Sequence, residues 1–229
     1  MKNKSYIGIS LVILVFGIIF VPKIIDRIKD GSVVQSDRID ITSNNRNKNV
    51  DTGLLKIGPS PSFSLTNQDG KIITEKDYAG KVHVVEFFFS TCPTICPIMN
   101  QNMLLIEKEF MGNPNFGIVS ITINPKTDTQ QVLKEHSKTL GVTSSNWNFL
   151  TGEQDYIYDI ANKGFNIYVG QNTKVEGGFE HSGYFALVDK KGNIRSRKDA
   201  NGNPLIYYNG LEKVDVKALM KDIKKLLNE

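Results

Sequence analysis

The sequence predicts a mixed α/β domain, and three observations predict it. Apolar runs of strand length alternate with stretches that repeat at helical spacing. The last two strands are joined by the tight turn Lys190-Lys191-Gly192-Asn193 rather than by a helix. The only two cysteines of the 229 residues, Cys92 and Cys96, stand at the first junction from strand to helix.

Taken in order, Pro61, Phe63 and Leu65 alternate with serines. Asn67–Gly70 then supplies a turn, and Lys71–Ile73 returns, which makes a hairpin. Val82–Phe89 is almost continuously apolar, as a strand buried on both faces must be. After the cysteines, Ile98, Met99, Met103, Leu104, Ile106 and Phe110 recur at helical spacing, and Gly112 stops the helix. Phe116–Ile123 is a second buried strand. Thr127, Asp128 and Thr129 offer caps for a helix running to about Leu140. Trp147–Leu150 reads as a short strand and Glu153–Phe165 as a helix. Gly183–Asp189 and Ile194–Arg197 form the closing hairpin, and Val214–Leu227 is an amphipathic helix. This order looks like a thioredoxin-like fold with an N-terminal β-hairpin, an insertion, and a C-terminal β-hairpin plus helix.

One N-terminal transmembrane helix is expected to precede it. Lys2 and Lys4 lead into the uncharged run Tyr6–Val21, which Ile24 and Ile25 extend if Lys23 snorkels. No small-residue cleavage site follows, which favours an uncleaved anchor over a removed export signal, and no cysteine follows that could carry a lipid. The expected organisation is a short cytoplasmic end at 1–5, an anchor at 6–25, a polar linker at 26–55 and the folded domain at 56–229. The domain is placed outside the cytoplasm, because a lone thiol pair calls for an oxidising or metal-loading compartment. The net charge of +4, without a long basic block, gives no reason to expect a nucleic-acid partner.

Chemistry concentrates at Cys92-Pro93-Thr94-Ile95-Cys96-Pro97. A helix N-terminus favours thiolate over thiol, and Pro97 suits a first turn. Residues four apart share a helix face, so Cys92 and Cys96 are expected to converge on one soft ion or on each other. Two sulfurs do not close a metal site, so a third donor is needed. His136, among Lys134, Glu135 and Lys138, reads as a solvated surface residue. His83, at the start of the central strand, reads as a strand or surface residue. His181 lies in a glycine-rich loop, Gly177–Gly183, leading into the strand Tyr184–Val188. In a thioredoxin fold that loop faces the thiols. Ordinary thioredoxins carry a cis-proline there, whereas no proline occurs here from residue 126 to 203.

Three segments carry a family resemblance: Phe88–Pro97, Ile121–Thr129 and His181–Asn193. Together they closely resemble the SCO/SenC family, over roughly Gly58 to Leu227. The resemblance implies a membrane-anchored, thioredoxin-like copper protein that assists assembly of the dinuclear copper centre of cytochrome c oxidase. It implies copper ligands at Cys92, Cys96 and His181, and an acceptor that is an oxidase subunit. The sequence departs from the family at Asn124 and Thr127, where an acid and an arginine are usual.

Glu86 is an acid within the apolar strand, six residues before Cys92. If desolvated, its carboxyl could relay protons during thiol–disulfide exchange; a carboxylate satisfied by a lysine or water is the plainer reading. Met99 and Met103 read as core. The leading expectation is a metallochaperone rather than an enzyme. The alternative is an extracytoplasmic thiol–disulfide oxidoreductase cycling the Cys92/Cys96 pair. A peroxidase of the peroxiredoxin type lacks support, because Phe89 stands where a threonine would be needed.

Overall fold

The computed structural model of the protein describes residues 10, 14–22 and 53–229. The chain divides into two units, residues 1–48 and 49–229. In the first, residues 14–22 are helical. The rest of the expected anchor, and nearly all of the expected linker, lie outside the described residues. Among the described residues no helix is long and apolar enough to cross a membrane.

The second unit is built on one mixed sheet. Its strands are β1 (Leu55–Pro59), β2 (Ser64–Asn67), β3 (Ile72–Thr74), β4 (Val82–Phe88), β5 (Phe116–Thr122) and β6 (Trp147–Thr151). They continue with β9 (Tyr184–Val188), β10 (Asn193–Lys198), β11 (Pro204–Leu205) and β12 (Tyr207–Asn209), while β7 (Val169–Gln171) and β8 (Phe179–His181) pair apart as a small ribbon. The helices are α1 (Cys96–Glu109), α2 (Gln130–Leu140), α3 (Gln154–Asp159) and α4 (Lys213–Asn228). The sheet runs β1-β10-β9-β4-β5-β6-β2-β3. Only β4, β5 and β6 are parallel, paired from Val82↔Phe116 to Phe88↔Thr122 and from Ile118↔Trp147 to Ile121↔Leu150.

Every residue of β4 and β5 is buried, which is why those strands read as continuous apolar runs. Phe87, Phe88 and Phe89 are at most 1% exposed, each burial being worth roughly 1.5–3 kcal/mol. Met99 and Met103 are wholly buried in the core. The helix α2 starts at the expected cap, with the Thr129 hydroxyl accepting from Val132 N–H.

Three hairpins use one turn design. Asn67, Asp189 and Asp199 each accept, on Oδ1, the N–H groups two and four residues on. The fourth residue is in each case a glycine with positive φ: Gly70 at 78°, Gly192 at 76° and Gly202 at 85°.

The structure departs from the sequence reading in four places. β1 covers the end of the expected linker and adds to the sheet beside β10. The helix expected over 153–165 is α-helical only to Asp159 and finishes as a π-helical stretch, Ile160–Phe165. The stretch read as a loop around His181 ends in β8, so His181 sits on a ribbon. β12 adds beside β9, where no strand was expected.

Candidate metal centre

The centre forms where β4 ends. Phe89 leaves the strand and the chain turns, with Cys92 N–H donating to Phe89 O at 3.2 Å. The helix α1 begins at Cys96, with Pro97 in its first turn. Only Cys96 is therefore helical. The two sulfurs do not share a helix face, as the spacing had suggested; the turn brings Cys92 back toward Cys96. Both cysteines are free thiols and buried, Cys92 8% and Cys96 2% exposed.

The third donor comes from β8. His181 Nε2 lies 3.2 Å from Cys96 Sγ. The donor atoms of Cys92, Cys96 and His181 all fall within 4.8 Å of one another. A trigonal ion with bonds of about 2.0–2.3 Å needs its donors roughly 3.5–4 Å apart, so sub-ångström shifts suffice. The imidazole packs edge-on against Phe89, and its buried Nδ1 has no hydrogen-bond partner among the described residues. Two sulfurs and one imidazole form a soft set that suits Cu(I) better than hard cations. The donors open onto a cavity of about 240 Å³ walled by Phe89, Ile95, Val175 and Phe179.

The ribbon reaches the thiols because Gly177 lets it. With φ at 85°, a Cβ at this position would stand 3.1 Å from both the Phe89 ring and Pro93 Cδ. The doubled glycine at 177–178 was the available sequence signal for this close approach.

The two thiols differ. The Cys96 S–H beside it brings Cys92 down to about 3, against the opposing effect of burial, with His181 and the backbone N–H groups of Cys96 and Thr94 assisting. Cys96 is pushed up, first by giving its hydrogen bond to Cys92 and then by burial. The pair thus holds one thiolate and one proton, and Thr94 Oγ1 stands 3.7 Å from Cys92 Sγ.

Glu86 is wholly buried. Its Oε1 accepts from the Ser120 hydroxyl at 2.6 Å, and Ser120 Oγ accepts from Trp147 Nε1–H at 2.9 Å. Among the described residues its Oε2 has no hydrogen-bond partner, so no lysine satisfies it. Burial pushes the carboxyl up to about 7, with Ser120 opposing.

The other histidines stay outside the centre. His83 is 3% exposed, packed on Tyr78, and burial lowers it to about 4. His136 is not the solvated residue its charged neighbours suggested. It stacks on Phe88 at 5.5 Å and meets Phe149 edge-on, and burial lowers it.

A thioredoxin-type scaffold carrying a Cys–Cys–His cluster at the mouth of its central strand defines a class of thiol-based metal or redox proteins. Within that class the chain belongs to the SCO1/SenC family, whose model matches residues 56–214. It is 31% identical over 164 residues to the SCO1 protein homolog of Bacillus subtilis, covering 71% of this chain and 79% of that one. The fold is similar to BsSco, a member of the Sco family of cytochrome c oxidase assembly proteins in which a disulfide switch has been identified. The TM-score is 0.63 at 28% identity, over 75% of this chain and 95% of that one. It is also similar to yeast Sco1 with copper bound, with a TM-score of 0.55 at 25% identity, over 73% and 89% of the two chains.

Proposed function

We propose that this chain binds copper through Cys92, Cys96 and His181, and that it delivers the ion to the dinuclear copper site of cytochrome c oxidase or prepares the thiols of that site. The observation that carries the reading is the convergence of the three donor atoms within 4.8 Å. Membership of the family and its copper-bound yeast relative support the choice of metal. The acceptor is an oxidase subunit, and the protein works from an N-terminal membrane anchor with its domain outside the cytoplasm. The apolar side chains of Leu14, Phe16, Ile18 and Phe20, all exposed on the helix over 14–22, support the anchor.

The test is a copper titration of the reduced chain beside His181→Ala. The wild type is expected to take up about one ion per chain, a single Cys₂His set being present. The variant should bind far more weakly and still form its disulfide. Full copper affinity in the variant would sink the three-donor site.

A second reading is favoured by the uneven pair of thiols. As an oxidoreductase, the Cys92 thiolate would attack a partner disulfide and release one partner thiolate. Cys96 would then give up its proton, attack the mixed disulfide and release the second. Two electrons and the accompanying protons pass to the partner, and Cys92–Cys96 is left oxidised. Glu86 is the proton relay in this reading, supported by its unpartnered Oε2 and its electrostatic coupling to Cys96. Glu86→Gln should slow exchange and leave Cu(I) affinity intact; unchanged exchange rates would remove the relay. The readings are linked, because a disulfide offers no thiolate to copper.

A further inference from the structure

We propose that Asp128 is a positioning residue for the copper site, holding in place the turn that carries Cys92. This rests on the Cys₂His reading above.

Asp128 contributes no donor to the cluster and lies wholly buried beside it. Its carboxyl accepts from Ser90 N–H at 3.0 Å, from the Ser90 hydroxyl, and from the Thr122 hydroxyl. Thr122 Oγ1 in turn accepts from Asn124 N–H at 3.0 Å. The N–H groups of Thr127 and Asp128 itself both return to Asn124 O, at 3.1 and 2.9 Å. Ile123 N–H donates to Phe88 O at 2.8 Å, closing the same junction. One side chain from the loop before α2 therefore locks together the ends of β4 and β5.

What it locks matters because Ser90 is two residues from Cys92. Both polar groups of Ser90, its amide and its hydroxyl, are spent on Asp128. Beyond it, the turn is held by the bond from Cys92 N–H to Phe89 O. Cys96 is placed independently by α1, and His181 by the ribbon. Asp128 therefore acts on one donor of three, and that donor is the sulfur with thiolate character. A shift of Cys92 Sγ changes both the metal triangle and the closure of the disulfide.

The carboxyl suits this task in a way an amide does not. It accepts three hydrogen bonds and donates none. In Asp128→Asn one oxygen becomes an NH₂ group, which faces donors on Ser90 and Thr122. At least one of those bonds is lost, and a buried donor is left unpaired. Asp128 stands one step further out than a partner bonded to a ligand itself, where mutation costs about 10–100-fold in metal affinity, so its loss falls at or below the lower end of that range.

The experiment uses the full chain, reduced and in detergent, with Asp128→Asn and Ser90→Ala beside the wild type. Cu(I) affinity is read against a competing chromophoric chelator. The sulfur-to-copper charge-transfer band is read after loading with Cu(II), and the thiol midpoint potential is read against glutathione without copper. Asp128→Asn is expected to lose up to about 10-fold in Cu(I) affinity, with a displaced band and potential. Ser90→Ala, which removes the hydroxyl and keeps the amide, should move all three readings the same way by less, with a smaller fall in the unfolding midpoint of the copper-free chain than in Asp128→Asn. If Asp128→Asn does not fold, Ser90→Ala decides. Wild-type affinity, band and potential in the variants that fold overturn the proposal. If the wild type itself takes up no copper, the Cys₂His reading falls instead, and the potentials alone decide whether Asp128 positions Cys92.

Discussion

Glu86→Gln should make the fold markedly less sensitive to pH. The carboxyl is wholly buried, and burial lifts it from 4.5 to about 7. A group whose folded value lies above its unfolded one supports the fold fully below pH 4.5, and that support is lost as the pH rises through 7. At about 1.4 kcal/mol per pH unit, the full loss is roughly 3 kcal/mol, most of which falls between pH 5 and pH 8.5. Glutamine has the same shape and no charge to desolvate. Any fixed cost of burying its amide is the same at both pH values. Urea unfolding of the reduced unit, residues 49–229, at pH 5 and pH 8.5 should thus show the variant gaining roughly 2–3 kcal/mol on the wild type, with an unchanged slope against urea. The molecule also carries its own reporter. Trp147 is the only tryptophan, and its indole N–H bonds to Ser120, which bonds to Glu86. Its fluorescence should titrate with a midpoint near 7 in the wild type and not in the variant. Parallel stability curves, with no Trp147 titration, would refute the buried neutral carboxyl.

His83→Gln should show the opposite slope. Burial holds His83 at about 4, so its support for the fold is full above pH 6.5 and lost as the pH falls toward 4. Acid unfolding monitored by circular dichroism should therefore set in at lower pH in this variant. Gly177→Ala should fold, lose roughly 1–2 kcal/mol to its left-handed backbone, and bind copper more weakly because the ribbon is pushed off Phe89 and Pro93. Asp189→Ala should cost about 1–3 kcal/mol by urea unfolding. It removes one of the two carboxylates on Arg195, at 3.0 Å, while Glu229 stays at 2.7 Å, and it removes the acceptor that closes the β9–β10 turn.

The legible parts of the fold were those with a local cause. Continuous apolar runs marked β4 and β5, because both faces of each are covered. The Thr129 cap marked the start of α2, and the turn residues at Asn67–Gly70 and Lys190–Asn193 marked two of the hairpins. The cysteines were visible by type and His181 by elimination, since its loop had lost a proline. What stayed hidden depends on pairing across long separations. β1 is half exposed and gains its partner 141 residues later, with Leu55 opposite Ser196. The β7–β8 ribbon is three residues a side, too short for a period. Gly164 packs against Pro61, a Cβ there falling 2.6 Å from the Pro61 ring, which no local pattern in the helix reveals. His136 looked solvated beside its charged neighbours, but those residues turn outward and the imidazole turns in to Phe88. Asp128 could be read as a helix cap; its bonds to Ser90 needed the parallel pairing of β4 with β5.

The uneven thiols also bear on which state of the pair prevails. A thiolate as strongly stabilised as Cys92 is a weaker nucleophile than one titrating near ambient pH, and a better leaving group. Any mixed disulfide at Cys92 is therefore short-lived. Stabilising the thiolate also stabilises the reduced form of the pair, and that makes the disulfide more oxidising. The same hydrogen bonds that lower Cys92 therefore favour the dithiol, which is the form able to hold a metal. The midpoint potential of Cys92–Cys96, measured against glutathione, should be less negative than the roughly −270 mV of thioredoxin. His181 assists the Cys92 thiolate, so His181→Ala should shift the midpoint to a more negative value even without copper. A wild-type midpoint at or below that of thioredoxin, unmoved by His181→Ala, would mean that the surroundings of Cys92 do not stabilise its thiolate. The preference for the dithiol would then have to come from the cellular reductant rather than from the fold.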